Sequence, residues 1–100
     1  MRGKQYKIFL ELLKSLGDST RLDVVIFISS GEKCVCEIFK HLKLSQNLVS
    51  HHLGILRKNK LIIARKDGKR VYYSLNKEKI DEFQKYLDSV TETKEIKSKC

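Results

Sequence analysis

Two helices joined by a tight turn constrain the fold of this chain most strongly. Cys34–Leu42 carries its apolar residues on one helical face, and Ser45 then caps a longer helix that ends near Asn59. Leu44 precedes this cap and Val49 stands at the fourth helical position, which is the spacing of a hydrophobic staple. A short helix, a turn of a few residues and a capped second helix predict a helix-turn-helix.

Two apolar segments before this pair predict two more helices. Apolar residues recur at helical spacing from Tyr6 to Leu16, and Gly17 is a typical helix end. Asp18 or Ser19 then caps a second segment that reaches about residue 29. This segment contains Val-Val-Ile-Phe-Ile, which has the propensity of a buried strand as well. The cap and the neighbouring helices favour a buried helix.

An Asp-Gly pair at residues 67–68 predicts a β-hairpin after the helix-turn-helix. Its strands span about 61–66 and 69–75, and a two-residue loop places Ile62 opposite Tyr73 on the buried side.

Asn76 caps a last helix over about 77–90, and the sequence contains no low-complexity linker. A chain of 100 residues has room for a single small domain. We therefore predict a mainly α, winged helix-turn-helix domain over residues 1–92, with a β-hairpin wing and a polar tail at 93–100. Because a domain of this size is marginal by itself, a homodimer that shares a core is expected.

Positive charge is confined to one part of the chain. Eleven basic and two acidic residues lie between positions 40 and 80, a surplus of nine that accounts for the whole net charge of +9. Such confinement indicates a polyanionic partner, although a solvated basic face has the same composition.

The longer capped helix has one apolar and one polar face. Its apolar residues, such as Val49 and Leu53, would pack inward, and the N-terminal half of the opposite face would reach base edges in a major groove. An ordinary solvated face is the alternative. His51 points outward in this arrangement, whereas His52 tilts toward the core and is interpreted as structural.

The hairpin carries four cations around its turn. The two-residue register sets Arg65 opposite Arg70 and Lys66 opposite Lys69, and opposed like charges destabilise a hairpin. Bound phosphates would neutralise this repulsion between the cations. A longer, flexible loop would avoid it. The candidate DNA contacts are Gln46, Asn47, Ser50, His51, Lys58, Arg65, Lys66, Lys69 and Arg70.

Three stretches of this chain carry a family resemblance. LKSLGDSTRL, EKCVCEIFKHLKLSQNLVSHHLGILRKNKLI and ARKDGKRVYYSL closely resemble the ArsR/SmtB family of bacterial metal-responsive repressors, over roughly Leu13–Leu75. The resemblance implies a homodimer that binds double-stranded DNA at a near-palindromic operator and leaves it when an effector binds. It also implies a helix-turn-helix at about 34–59, a wing at about 61–75, and dimer helices at about 5–16 and 77–90. Where this chain has Gly54, many relatives carry a basic residue.

The same resemblance assigns a metal motif to Cys34-Val35-Cys36. Thiolates select thiophilic ions, here As(III) or Sb(III) foremost, with Cd(II) and Pb(II) as further candidates. Two residues at this spacing point about 200° apart in a regular helix, so joint chelation requires a distorted first turn. Relatives that sense arsenic often have a third cysteine where this chain has Phe39. Cys100 in the tail is the candidate third ligand.

The same residues allow other functions. A redox trigger would link Cys34 or Cys36 to Cys100 by a disulfide or polysulfide, and the thiols are otherwise small buried hydrophobes. An enzyme is not expected, because no motif joins the cysteines and histidines into a catalytic group. A protein-binding winged helix would show little salt dependence. Without a signal peptide or membrane span, we expect a cytoplasmic protein with reduced thiols and no organic cofactor.

Overall fold

Five helices and a three-stranded sheet make up residues 3–92, the part of the chain that this computed structural model describes. The helices are α1 (Lys4–Leu16), α2 (Ser19–Ile28), α3 (Val35–Leu42), α4 (Gln46–Lys58) and α5 (Lys77–Thr91). The strands are β1 (Lys33–Cys34), β2 (Ile62–Asp67) and β3 (Arg70–Leu75). The predicted mainly α fold with a β-hairpin wing is confirmed. Among the described residues, no helix is both long and apolar enough to cross a membrane.

The ambiguous second segment is a helix. Asp18 caps α2 by accepting a hydrogen bond from the Arg21 backbone N–H at 3.0 Å. Val24 and Ile28 of this helix are buried in the core. The cap and the packing therefore override the strand propensity of the branched residues.

The helix-turn-helix is held by a tight turn and a shared core. Lys43 ends α3 with φ 57°, and Ser45 caps α4 by accepting from the Leu48 backbone N–H at 3.2 Å. Val49, Leu53 and Leu56 of α4 pack into the core together with Ile38 and Leu61. Burying one such leucine contributes about 1.5–3 kcal/mol. This packing fixes which face of α4 points to solvent.

The predicted register of the hairpin is wrong. Asp67 pairs with Arg70, so the loop consists of Gly68 and Lys69. Gly68 has φ +62°, which suits the first loop position of a type II′ turn. In this register the opposed pair at the turn is an acid and a base, a favourable combination.

In the observed register neither Arg65 nor Lys66 lies opposite another cation. Arg65 lies opposite Tyr72 and Lys66 lies opposite Val71, so the like-charge pairs on which the phosphate argument rested do not form. Because the displacement is an even number of residues, Ile62 and Tyr73 stay on the core side.

A short edge strand that the sequence did not reveal completes the sheet. In β1, Lys33 pairs with Tyr73 and Cys34 pairs with Tyr72, giving the order β1-β3-β2 with antiparallel pairing. The wing is therefore joined by backbone hydrogen bonds to the segment just before α3.

A polar network lies where α1, α2 and α4 meet. The Arg21 Nε donates to the Ser15 carbonyl oxygen at 2.7 Å, and another guanidinium nitrogen lies 3.1 Å from His52 Nδ1. Asp18 Oδ1 is 3.9 Å from the same ring nitrogen, and His52 is 8% exposed. The structural role expected for His52 is confirmed.

Folding stability is expected to fall as the pH drops below about 6.5, the ordinary pKa of histidine. Burial lowers the pKa of His52, Asp18 opposes this shift, and Arg21 and His51 add to it. The unfolded chain therefore binds the His52 proton more tightly than the folded chain does, so stability present above this pH is lost below it. Urea denaturation at about pH 7.5 and about pH 5.5 measures the loss, which is at most about 1.4 kcal/mol per pH unit.

The compared variants are His52→Gln and His51→Gln. His52→Gln removes the buried ring and should flatten the pH dependence, whereas His51→Gln removes only the last of the causes that lower the pKa of His52 and should keep most of the dependence. An unchanged slope in His52→Gln would show that another group carries the dependence.

Candidate nucleic-acid interface and thiol site

The outward face of α4 carries the residues expected to read DNA. Gln46, Asn47, Ser50, His51 and Lys58 are all exposed, on the side opposite the buried core residues of the helix. Amide, hydroxyl and imidazole groups on successive turns can donate to and accept from base edges. The structure thus brings the predicted α4 residues together on one surface.

The tip of the wing lies beside the start of α4. Lys69 and Arg70 line the same groove as Gln46, and Lys66 is exposed on the neighbouring strand. Cations placed next to a polar helix face are suited to phosphates on either side of a groove. Three of the four predicted wing cations therefore have their charge available at this surface.

Arg65 differs from these three cations because it is already paired. Its Nε and one terminal nitrogen donate to the Glu32 carboxylate at 2.9 and 2.6 Å, and another terminal nitrogen is 3.8 Å from Asp67. The guanidinium carbon also lies 4.9 Å from the centre of the Tyr72 ring. Its hydrogen bond to Glu32 lowers the pKa of that carboxyl group. The role of Arg65 as a DNA contact stays a prediction.

The two thiols meet because Cys34 stands outside the helix. Cys34 is the N-cap of α3, with extended φ −79° and ψ 159°, whereas Cys36 is the second helical residue. The opposition of side chains expected within a regular helix therefore does not apply. Cys34 is 6% exposed, Cys36 is half-buried, and both line the same groove, where Cys36 helps to raise the pKa of the Cys34 thiol.

Glu37 completes the local geometry around Cys34. The Cys34 backbone N–H donates to Glu37 Oε1 at 3.1 Å, and the Glu37 backbone N–H donates to the Cys34 sulfur in a reciprocal capping box. Burial raises the pKa of the Cys34 thiol, and the Glu37 carboxylate and Cys36 raise it further against the opposing Glu37 N–H. Cys34 is therefore a protonated, shielded thiol at neutral pH.

Arg70 brings positive charge from the wing to both thiols. A hydrogen bond with Tyr72 is the largest cause that raises the pKa of Arg70, and the charges of Cys34 and Cys36 raise it too. Arg70 therefore places a positive charge in the groove that the two cysteines line.

One groove of about 430 Å³ joins the thiols to the DNA face. Cys34, Cys36, Gln46, Lys69 and Arg70 all line it. Two soft sulfur donors that line one groove suit a thiophilic ion. They form an incomplete site by themselves, because no group of three or more cysteine, histidine or acidic donors occurs within residues 3–92. Cys100, the predicted third ligand, lies outside the described residues.

Sequence reasoning missed Glu37, Arg70 and Tyr72 as neighbours of the thiols. Glu37 had a local signal, since a glutamate three residues after a cap is typical of a capping box. The other two reach Cys34 only through the β1–β3 pairing, for which the sequence carries no comparable signal.

Comparison with known proteins identifies the family. Residues 18–64 match the profile described as "Bacterial regulatory protein, arsR family". The "Arsenical resistance operon repressor" of Staphylococcus aureus is 38% identical over 85 residues, covering 85% of this chain and 82% of the relative. This chain belongs to the ArsR family. It is accordingly a DNA-binding transcriptional repressor rather than an enzyme.

Solved structures agree with the ArsR assignment. HlyU from Vibrio cholerae superposes with a TM-score of 0.73 at 28% identity, covering 90% of this chain and 98% of the other. An ArsR-like transcriptional regulator from Rhodococcus sp. RHA1 has a TM-score of 0.81 at 17% identity, covering 88% and 83%, and supports the fold alone.

Replacing Gly54 should increase both the folding stability and the DNA affinity of this ArsR chain. It is exposed in the middle of α4, and a Cβ added there meets no atom within 4 Å. Gly54→Ala should raise the free energy of unfolding by about 1 kcal/mol through helix propensity. Gly54→Arg should add a similar gain and also steepen the salt dependence of DNA binding by about 0.9 in log–log slope. Urea denaturation and fluorescence anisotropy in a salt series measure the two effects.

The alanine variant is the control for the arginine variant. If both bind DNA equally tightly and with the same salt slope, this turn of α4 does not face the duplex.

Proposed function

We propose that this chain is a homodimeric repressor whose operator affinity falls when a thiophilic ion binds Cys34 and Cys36. The observation that carries the proposal is the groove shared by the thiols, the first residue of α4 and the wing tip. A ligand in that groove touches elements on which DNA binding depends.

The DNA side of the proposal uses two kinds of contact. Residues near the N-terminus of α4, such as Ser50 and His51, read base edges of a near-palindromic duplex. The cations Lys58, Lys66, Lys69 and Arg70 hold phosphates and set the position of the protein. Gln46 and Asn47 complete the polar face of the helix. Arg65 is left out of this set because Glu32 already holds its guanidinium.

The ion side of the proposal rests on sulfur chemistry. As(III) or Sb(III) is preferred, since a relative similar over most of both chains is named for arsenical resistance, and Cd(II) or Pb(II) has the same preference for thiolates. Cys100 supplies a third thiolate from the tail. By linkage, DNA must weaken ion binding by the same factor as the ion weakens DNA binding.

Apolar faces of α1 and α5 support the homodimer. Ile8 and Leu13 of α1 and Leu87 and Val90 of α5 are exposed, and Phe9 stacks on Phe83 between the two helices at 5.1 Å. Apolar residues clustered along two adjacent helices are typical of a subunit interface. We propose one domain over residues 1–92 that pairs through these helices.

The test begins with the duplex that the chain prefers. Selection from a random duplex pool gives a binding sequence, and anisotropy then measures affinity with a chelator or with As(III) present. We expect the preferred sequence to be near-palindromic, binding to weaken steeply with salt, and As(III) to lower affinity about 5- to 150-fold. Equal affinity with chelator and As(III), repeated for Sb(III), Cd(II) and Pb(II), would rule out the ion trigger.

A redox trigger is the alternative outcome of the same assay. Burial raises the pKa of the Cys34 thiol, which disfavours the thiolate that would react with an oxidant and equally the thiolate that would bind an ion, so the assay has to separate the two triggers. Release of the protein from DNA by peroxide or persulfide would support the redox mechanism instead, if mass spectrometry also finds Cys34 or Cys36 linked to Cys100.

A further inference from the structure

Two side chains tie the wing to the segment that carries the thiols. Glu32 lies two residues before Cys34, and its carboxylate holds Arg65 of β2 through hydrogen bonds of 2.9 and 2.6 Å. To reach Glu32, Arg65 crosses the central strand β3, with its guanidinium 4.9 Å from the Tyr72 ring centre. We call the Glu32–Arg65 pair the brace.

We infer that Glu32 and Arg65 are positioning residues that couple the thiol segment to the wing, and that Arg65 does not bind phosphate. The coupling half of this inference rests on the proposed function, whereas the assignment of Arg65 depends only on DNA binding.

Charge separates Arg65 from the other wing cations. The Glu32 and Asp67 carboxylates lie 2.6 and 3.8 Å from its guanidinium, so its positive charge is already balanced. Within residues 3–92, no ion pair joins Lys66 or Lys69 to an acid. A phosphate would have to displace two carboxylates from Arg65 but none from these lysines.

The connectivity explains how movement at the thiols would reach the wing. β1 contains two residues, Lys33 and Cys34, and pairs with β3 alone. The brace adds a side-chain link from the start of this segment to β2, the outer strand of the wing. Because Cys34 is the N-cap of α3 and also a proposed ligand, drawing its sulfur toward an ion shifts the backbone that carries Glu32. The brace passes that shift to both wing strands together.

A double-mutant cycle tests the brace in the full chain. Glu32→Ala, Arg65→Ala and the double variant are compared with wild type, and Lys66→Ala is the matched wing control. Operator affinity is measured in a salt series with a chelator and then with As(III). Lys66→Ala should lower the salt slope by about 0.9 and keep the full ion effect, whereas Arg65→Ala should leave the slope unchanged.

Both brace variants should lose coupling. The factor by which As(III) lowers operator affinity is expected to shrink about 3- to 30-fold in each, with no further loss in the double variant. As(III) binding, followed through sulfur-to-arsenic absorption, should stay as in wild type. An intact ion effect in both variants would overturn the coupling, and a salt slope lowered in Arg65→Ala as in Lys66→Ala would make Arg65 a phosphate contact.

Amide hydrogen exchange separates failure of the brace from failure of the proposed function. If no ion releases the wild-type chain from DNA, the ion trigger fails, and the brace is judged on exchange at Lys33 and Tyr73, which pair β1 with β3. Faster exchange, equal in Glu32→Ala, Arg65→Ala and the double variant, supports a link between the thiol segment and the wing. Exchange as slow as in wild type refutes that link.

Discussion

Replacing Cys34 with serine should leave operator binding nearly unchanged and remove the loss of affinity that As(III) causes in the wild-type chain. The helix should survive because serine is a preferred N-cap, and Glu37 three residues later keeps the capping box. The substitution removes one of the two proposed sulfur ligands of the ion, Cys34 and Cys36. An effect of about 5- to 150-fold in the wild-type chain should then shrink to none, as measured by anisotropy with and without As(III).

The other two cysteines make this experiment specific. Cys36→Ser should behave like Cys34→Ser, since the two side chains meet in one groove. Cys100→Ser decides the role of the tail, because an intact response means that two thiols suffice and a lost response makes Cys100 the third ligand. Release of the Cys34→Ser variant by As(III) as in wild type would place the effector site elsewhere.

Replacing Ser50 and His51 together with alanine should remove most of the preference for the selected sequence over random duplex. Each base contact contributes about 1–3 kcal/mol of discrimination, so losing both should cost about thirtyfold or more. Both residues are exposed on α4, and alanine is the best helix former, so the fold should persist. Competition between selected and random duplex measures the ratio, and thermal unfolding checks the fold.

A wing variant provides the contrast for this prediction. Lys66→Ala combined with Lys69→Ala should weaken both duplexes alike and lower the salt slope by about 1.8, since two phosphate contacts are lost. Unchanged discrimination in the Ser50 and His51 variant would mean that another surface reads the bases.

Helices were predictable because their signals are local. The stripe of apolar residues, the Ser45 cap and the Gly17 end all act within a few residues, and each predicted helix forms. The register of the hairpin was harder, because moving the loop by one residue changes cross-strand partners along the whole ladder. The acid–base pair of Asp67 and Arg70 and the place of Gly68 in the turn decide it.

The DNA face followed from the sequence, whereas the surroundings of the thiols did not. A helical period alone assigns Ser50 and His51 to the side away from the core. Arg70 and Tyr72 approach Cys34 through a two-residue strand, and no periodic pattern can indicate so short an element. The Cys-x-Cys spacing predicts opposed side chains within a regular helix, but α3 begins after Cys34, so both cysteines line one groove.

The reciprocal hydrogen bonds between Cys34 and Glu37 make one backbone amide a spectroscopic reporter. The Glu37 N–H donates to the Cys34 sulfur, which is the proposed ligand of the ion. The chemical shift of this N–H therefore changes when the sulfur binds an ion. In ¹⁵N-labelled protein, this single backbone resonance can therefore be followed to measure the fraction of occupied subunits in a sample without DNA.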